Sequence, residues 1–143
     1  MAALTAAQNL ASRPRAGRHS FVVTSGSTVY AGTFVGTLAA GGLSGYDNTA
    51  TTRFCGIALE TVLGDGTKQC RVNTEGVVIT TTVASATDLT AVNSLVYCAT
   101  NNPADCTTVA ATSPAIGIVI RWYSGTTCDV QLFSLTEVEA EKA

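Results

Sequence analysis

The feature that most constrains this chain is a segment that occurs twice. The first copy covers residues 54–80 and the second covers residues 115–133. Both read Gly-Ile, two apolar residues, a variable stretch, a glycine turn and then Cys-charged-Val. The matched pairs are Gly56 and Gly117, Ile57 and Ile118, Gly64 and Gly125, Cys70 and Cys128, Val72 and Val130. Strand-forming residues on both sides of a glycine turn are typical of a β-hairpin, so the pattern predicts one hairpin used twice.

A second pair of similar stretches lies upstream of these hairpins. LVYCA at residues 95–99 resembles TVYA at residues 28–31, with Val29 and Val96 lying 67 positions apart, whereas Gly56 and Gly117 lie 61 positions apart. Such short matches arise by chance in a β-rich chain, or they mark an ancient duplication that folds as a pseudo-symmetric barrel. We favour duplication because Cys-x-Val is also in register. The two hairpins are then expected to close the two halves of one small barrel.

Composition limits the classes of function. The chain has 143 residues, enough for one domain with a proper core, and only 13% of them are charged against a usual share of about 25%. A surface poor in Lys, Glu and Arg suits a protein that works in contact with partners. The formal net charge of -2 gives no basic field for nucleic acid. Neither a membrane span nor a secretory signal is read, so we expect synthesis in a cytoplasm.

The five cysteines and one histidine do not predict a metal site. There is no C-x-x-C pair and no clustered histidine, so a tetrahedral zinc site is not expected. Most of the cysteines therefore read as small apolar strand residues. Cys98 and Cys106 flank a turn that contains Pro103, and they could be joined in an oxidising environment, although spacing alone does not establish the geometry that a disulfide needs.

The two ends of the chain differ in composition from its middle. Residues 1–20 carry Arg13, Arg15, Arg18 and His19 without nearby acids, and Pro and Gly interrupt any helix there. This block is interpreted as an extended N-terminal arm that is either an unstructured tail or a segment lying on a partner. A β domain of short strands is predicted from Phe21 to residue 135, followed by a flexible tail at residues 136–143.

Two stretches inside the domain are candidate contact surfaces. Residues 39–52 contain several glycines and no periodicity, which predicts an exposed loop with Leu43 and Tyr46 as contact side chains. Arg121, Trp122 and Tyr123 precede the turn of the second hairpin, and these residue types are enriched in binding hot spots. Trp122 could equally cap the core at the end of the barrel, so both interpretations stay open.

Motifs that carry chemistry are missing from the sequence. There is no nucleophile elbow, phosphate loop, zinc-protease helix or dinucleotide fingerprint. Several of the few carboxylates lie at predicted turns, where Asp and Glu have conformational roles. We therefore expect no enzymatic activity, no cofactor and no metal.

The order of motifs resembles that of the small decoration, or cement, proteins of tailed-bacteriophage capsids. The resemblance covers about residues 21–133. In that family a G-I-A strand leads into a charged hairpin, a T-x-G-V-V strand follows, a D-L-T segment opens the second half, and I-G-x-V-x-R-W/Y closes it. The corresponding stretches here are VYAG, FCGIALETV, CRVNTEGVV, ATDLTAVNSLVY and AIGIVIRWYSGTTCDVQLF.

This resemblance implies a small β-barrel or β-tulip-like domain on the outer surface of the virion. Its partners would be the major capsid protein and two further copies of itself at threefold positions. The expected capsid-binding arm carries Arg13, Arg15, Arg18, His19 and Phe21, and the candidate partner or trimer contacts are Leu43, Tyr46, Arg121, Trp122 and Tyr123. The alternative is a head-fibre or surface module that binds a host glycan or receptor through residues 39–52 and Trp122-Tyr123.

Overall fold

The regular secondary structure of the described residues is nearly all β-strand, as the sequence predicts. A computed structural model describes residues 18–49, 51, 53–110, 114–135 and 137. In these ranges two single-turn 3₁₀ helices, Leu89–Ala91 and Pro103–Asp105, interrupt the strands. The strands are β1 Arg18–Val22, β2 Thr28–Val29, β3 Phe34–Thr37, β4 Leu43–Gly45, β5 Arg53–Ala58, β6 Val62–Leu63, β7 Gln69–Asn73, β8 Val78–Ala84, β9 Leu95–Cys98, β10 Cys106–Thr107, β11 Gly117–Ser124 and β12 Thr127–Leu132.

Ten of the twelve strands form two five-stranded arrays with the same strand order, and β2 and β6 form a separate two-stranded ribbon. The first half of the molecule, residues 18–73, has the strand order β1-β7-β5-β3-β4, and a single parallel bridge between Val23 and Leu43 joins its two ends. The second half, residues 78–132, is a closed barrel of β8-β12-β11-β9-β10. Parallel pairing of β10 with β8 closes it, with Cys106 opposite Val83. The fold thus contains a closed barrel, as predicted. The two hairpins, however, lie in separate arrays and do not close the two halves of one barrel.

The duplicated hairpins pair in the same register. Ala58 lies opposite Val72 in the first hairpin, and Val119 lies opposite Val130 in the second. Both apolar pairs face a core, because all four side chains are buried. The match of Gly56 with Gly117 and of Val72 with Val130, which predicts a repeated hairpin, is confirmed by the pairing.

Backbone hydrogen bonds repeat along with the strands. The amide of Gly32 donates to the carbonyl oxygen of Ala58 at 2.8 Å, and the amide of Asn93 donates to that of Val119 at 2.8 Å. Gly32 and Asn93 both have positive φ, 79° and 74°, a conformation that glycine and asparagine adopt most readily. The two halves therefore share a specific turn as well as an overall strand order.

The upstream match of TVYA with LVYCA is wrong as a structural equivalence. Val96 of β9 lies opposite Gly117, and its counterpart in the first half is Val35 of β3, which lies opposite Gly56. Val29 belongs to the short ribbon of β2 and β6, where it lies opposite Val62. The spacing between the halves in this region is thus 61 positions, as in the first strand of each hairpin, and the 67-position match reflects shared strand composition.

Two buried clusters fill the halves, and aromatic rings from the first half belong to the second cluster. The first-half cluster is aliphatic and thiol: Val23, Val29, Val35, Leu43, Cys55, Ala58, Cys70 and Val72. Phe34, Tyr46 and Phe54 instead pack with the core of the second half. The Phe54 ring meets those of Phe34 and Tyr46 edge to face, each with centroids 5.4 Å apart. Strand β3 is buried on both faces because it separates the two clusters.

A turn of the second half also binds the first half through backbone groups. The amide of Phe34 donates to the carbonyl oxygen of Asn101 at 2.9 Å, and that of Asn48 donates to Ala99 at 3.2 Å. Residues 99–105 therefore form a joint between the two halves. We call this segment the joint turn.

Candidate interaction surface

The end of the second hairpin presents a polar surface, and two irregularities in β11 create it. The pairing with β12 shifts between Val119 and Arg121 and again between Trp122 and Ser124. Each shift leaves an extra residue, and such bulges redirect side chains. Ile120, Arg121 and Tyr123 are consequently all exposed, although they are not at alternate positions.

Asp129 is the centre of a hydrogen-bonded group on this surface. The hydroxyl of Thr80 donates to Asp129 Oδ1 at 2.6 Å, and Tyr123 Oη donates to Asp129 Oδ2 at 2.6 Å. The guanidinium carbon of Arg121 lies 4.6 Å from the centroid of the Tyr123 ring. Side chains from β8, β11 and β12 are thus held in one arrangement. We call Thr80, Arg121, Tyr123 and Asp129 the Asp129 cluster.

The hydrogen bonds set the charge state of the cluster. Those from Thr80 and then Tyr123 lower the pKa of Asp129, and the nearby Arg121 charge lowers it further. The bond to Asp129 raises the pKa of Tyr123. At neutral pH the carboxylate is therefore ionised and the phenol is protonated. This arrangement fits a surface that hydrogen-bonds a partner, since neither group is tuned to move a proton.

Trp122 caps the core of the second half. Its ring packs against the second cluster, it lies opposite the buried Cys128, and its Nε1 donates to the carbonyl oxygen of Gly125 at 3.0 Å. Both the apolar and the polar parts of the indole have partners within the chain. Of the two interpretations open at the sequence level, the structure favours the core cap, and the partner-contact hypothesis then concerns mainly the exposed Arg121 and Tyr123.

The corresponding surface of the first half carries its charges in the reverse order. Glu60 takes the position of Arg121, and Arg71 takes that of Asp129. The Arg71 guanidinium lies 3.5 Å from the Glu60 carboxylate, and the Arg71 amide donates to Glu60 Oε1 at 3.1 Å. The two faces therefore differ electrostatically although their strands pair alike. A partner that recognises one face is not expected to recognise the other.

The predicted N-terminal arm ends earlier than the sequence indicates. Strand β1 begins at Arg18 and pairs with β7, so that His19 lies opposite Val72 and Phe21 lies opposite Cys70. His19 is exposed, whereas Phe21 is half-buried and packs against the first cluster. Arg13 and Arg15 lie outside the described residues. The interface hypothesis for the basic arm therefore concerns residues 1–17, which lie outside them as well, together with the exposed His19 of β1.

Leu43 and Tyr46 are wrong as surface contacts. Leu43 belongs to β4, lies opposite Thr37 and is fully buried in the first cluster, and Tyr46 packs with the aromatic rings of the second. The glycines around them made the segment read as a loop. Gly42 instead permits a close approach, since a Cβ there would lie 2.1 Å from the hydroxyl oxygen of Thr24.

Thr80 and Asp129 are the members of the surface that the sequence interpretation missed. Asp129 is the charged residue of the repeated Cys-charged-Val motif, and hairpin register places it opposite Arg121. That register was a usable signal. Thr80 became a neighbour only through the pairing of β8 with β12, which no local pattern reveals.

Among the residues that the structure describes, no three His, Cys, Asp or Glu side chains lie together in a group that could hold a metal ion. The described helices include none that is long and apolar enough to cross a membrane. Of the predicted C-terminal tail, Glu137 lies within the described part and exchanges hydrogen bonds with Ser134.

No protein-family model matches the chain, and no curated protein matches its sequence.

Proposed function

We propose that this chain is a capsid decoration protein that binds the exterior of an icosahedral phage shell, as a trimer at threefold or quasi-threefold positions. The observation that carries the proposal is the motif order over residues 21–133 that resembles the decoration family. The low share of charged residues supports it, as does the fixed polar surface of the Asp129 cluster. The partners are the major capsid protein and other copies of this chain.

Stabilisation of the shell follows from mass action. A protein that binds the expanded lattice and not its precursor lowers the free energy of the expanded state by an amount that grows with its concentration. Many copies on one particle multiply the effect. The chain then resists the pressure of packaged DNA without any catalytic step, at the outer surface of a virion assembled in the host cytoplasm.

The alternative function, recognition of a host glycan or receptor, has lost some of its candidate residues. It relied on residues 39–52 and on Trp122-Tyr123. Within the first stretch Leu43 and Tyr46 are buried, and Trp122 packs against the core. Glycan sites commonly stack sugars on aromatic faces. Binding on a glycan array that depends on Tyr30 or Tyr123, both exposed, would favour this alternative over decoration.

The direct test mixes the purified chain with expanded capsids of its own phage and, separately, with the precursor shells. Sedimentation should show saturable binding to the expanded shells alone, and those shells should withstand higher temperature or urea. Cryo-electron microscopy should then show trimers at threefold positions. Equal binding to both kinds of shell, or none to either, would contradict the proposal.

Variants separate the two candidate contact regions. Deletion of residues 1–17 leaves β1 intact, whereas deletion of residues 1–20 would remove three of its five residues. Replacing Arg121 and Tyr123 by Ala should weaken capsid binding by about 10- to 100-fold if they form a hot spot. Arg71→Ala is the matched control, because it removes an exposed arginine from the corresponding face of the first half. An equal loss in that control would assign the effect to general charge.

A further inference from the structure

Two of the five cysteines lie directly opposite each other on β9 and β10, next to the pairing that closes the barrel of the second half. Cys98 of β9 is the cross-strand partner of Cys106 of β10, and both side chains are buried. Directly opposed residues of an antiparallel pair have Cα atoms about 4.5 to 5.5 Å apart, and disulfides form at separations of about 4.4 to 6.8 Å. The register therefore supplies the separation that sequence spacing could not.

The two thiols also contact each other. The interaction between the two side chains lowers the pKa of Cys98 and raises that of Cys106. Cys98 Sγ lies 3.2 Å from the carbonyl oxygen of Thr100 and 3.5 Å from that of Asn102. On ionisation Cys98 is the thiolate and Cys106 keeps the proton, so the pair contains a nucleophile and a resolving thiol.

We propose that Cys98 and Cys106 are a reversible dithiol–disulfide pair that locks the joint turn, with hydrogen peroxide as the oxidant. Cys98 attacks one peroxide oxygen, which gives the sulfenic acid and one water. Cys106 sulfur then displaces the sulfenic hydroxyl, which takes up a proton and leaves as a second water. Two thiols and one peroxide thus yield one disulfide and two waters, and a dithiol reductant reverses the change.

The location gives the bond a structural consequence. The disulfide would close the base of the joint turn, whose carbonyl groups at Ala99 and Asn101 accept hydrogen bonds from the first half. It would also fix β10, the two-residue strand that completes the barrel. The corresponding positions of the first half are Thr37 and Leu43, which cannot form such a bond. The lock is therefore specific to the second half.

The test uses the full chain, reduced and then exposed to hydrogen peroxide. The intact mass should fall by two hydrogens. A protease that cleaves before aspartate cuts the joint turn between Ala104 and Asp105, and residues 88–104 should stay joined to residues 105–128. Because the second fragment holds Cys128 as well as Cys106, loss of the link in Cys106→Ser assigns it to Cys98 and Cys106. The thermal midpoint should rise by roughly 5–10 °C, because the bond closes a short loop. Dithiothreitol should reverse all three changes.

Control variants and a second experiment test the proposal even if burial slows the reaction of the thiols with peroxide. Cys106→Ser and, should it fold poorly, Cys106→Ala should stay uncrosslinked, while Cys55→Ser should crosslink as the parent does. In a second arm the chain is oxidised in urea, and the Cys98–Cys106 crosslinked form is isolated and refolded. A crosslink through Cys128, or a crosslinked chain that melts below the reduced one, would overturn the proposal. A chain that crosslinks only in urea would overturn reversible locking in the folded state. These readouts do not depend on capsid binding.

Discussion

The two halves of the molecule share a backbone plan and differ in how each is completed. Hairpin register, a positive-φ turn and a glycine beside the returning strand occur in both. One bridge joins the ends of the first half, whereas a two-residue parallel pairing closes the second. In the antiparallel pair next to this closure, Thr37 and Leu43 of the first half correspond to two cysteines in the second. This shows that the hairpin geometry constrains the duplicated fold more tightly than the residues at its closure do.

The halves also differ in what they bury. The first keeps a small aliphatic and thiol core on one side of its central strands, and on the other side it contributes Phe34, Tyr46 and Phe54 to the core of its neighbour. The second half therefore depends on side chains from the first. Because of this sharing, we expect the two halves to unfold together although each repeats the same topology.

The largest predicted difference between the halves is in the unfolding free energy lost when each of two matched glycines is replaced by alanine. A Cβ on Gly56 would lie 2.0 Å from the carbonyl oxygen of Asn73, and Gly56 has φ of 141°; a Cβ on Gly117 would lie 2.6 Å from that of Gln131. Gly56→Ala combines overlap with backbone strain and should cost about 5 kcal/mol of unfolding free energy, whereas Gly117→Ala should cost about 3 kcal/mol. Urea denaturation measures both.

The control for this pair is Gly26→Ala. Gly26 has φ of 84° but nothing lies within 4 Å of its added Cβ, so the loss should be about 1 kcal/mol from strain alone. If Gly117→Ala were as costly as Gly56→Ala, the close approach would account for both losses and the positive φ of Gly56 would add no measurable strain.

Shared burial gives the second prediction. Phe54→Ala removes the ring between Phe34 and Tyr46 and should cost about 4 kcal/mol. Although Phe54 belongs to the first half, fluorescence of Trp122, which packs on the second cluster, should report the loss. Phe21→Ala, at a half-buried ring on the first cluster, should cost about half as much. A Trp122 transition that stayed in place while backbone signals shifted would show that the halves unfold separately.

The sequence predicts the repeated hairpins because their residues interact locally. Gly56 and Val72 are neighbours across one turn, and so are Gly117 and Val130. The sequence does not predict that β3 is the counterpart of β9. Several short apolar runs, β2 among them, look alike in the sequence, and only pairing with the hairpins shows which two are equivalent. For a related reason, the sequence does not predict that Leu43 and Tyr46 are buried. Glycines normally mark loops, whereas Gly42 lets two backbone segments approach closely beside β4, and that depends on a contact with Thr24 that is distant in sequence.

The smallest predicted effect concerns two carboxylates, one in each hairpin. Asp65 Oδ1 accepts bonds from the amides of Thr67 and Lys68 and from the Thr67 hydroxyl, each at 2.8 Å. Above all the Lys68 amide, and then Thr67, lower the pKa of Asp65 to about 2. Asp129, with two hydroxyl donors, has a pKa that is lowered as well. Charged carboxylates are favoured in the folded state at both positions.

The sign of the pH dependence follows from these depressed pKa values. A carboxylate with a lower pKa in the folded chain stabilises it fully above the unfolded value of about 4, and this contribution is lost as pH falls through the folded value. Asp65→Asn and Asp129→Asn keep an oxygen acceptor but lose the charge. Each should therefore lower the thermal midpoint at pH 7, with the larger drop at Asp65, and should approach the parent near pH 2. A difference from the parent that stayed constant between pH 7 and pH 2 would mean that the geometry of the acceptor, and not its charge, is what stabilises the turn or the Asp129 cluster.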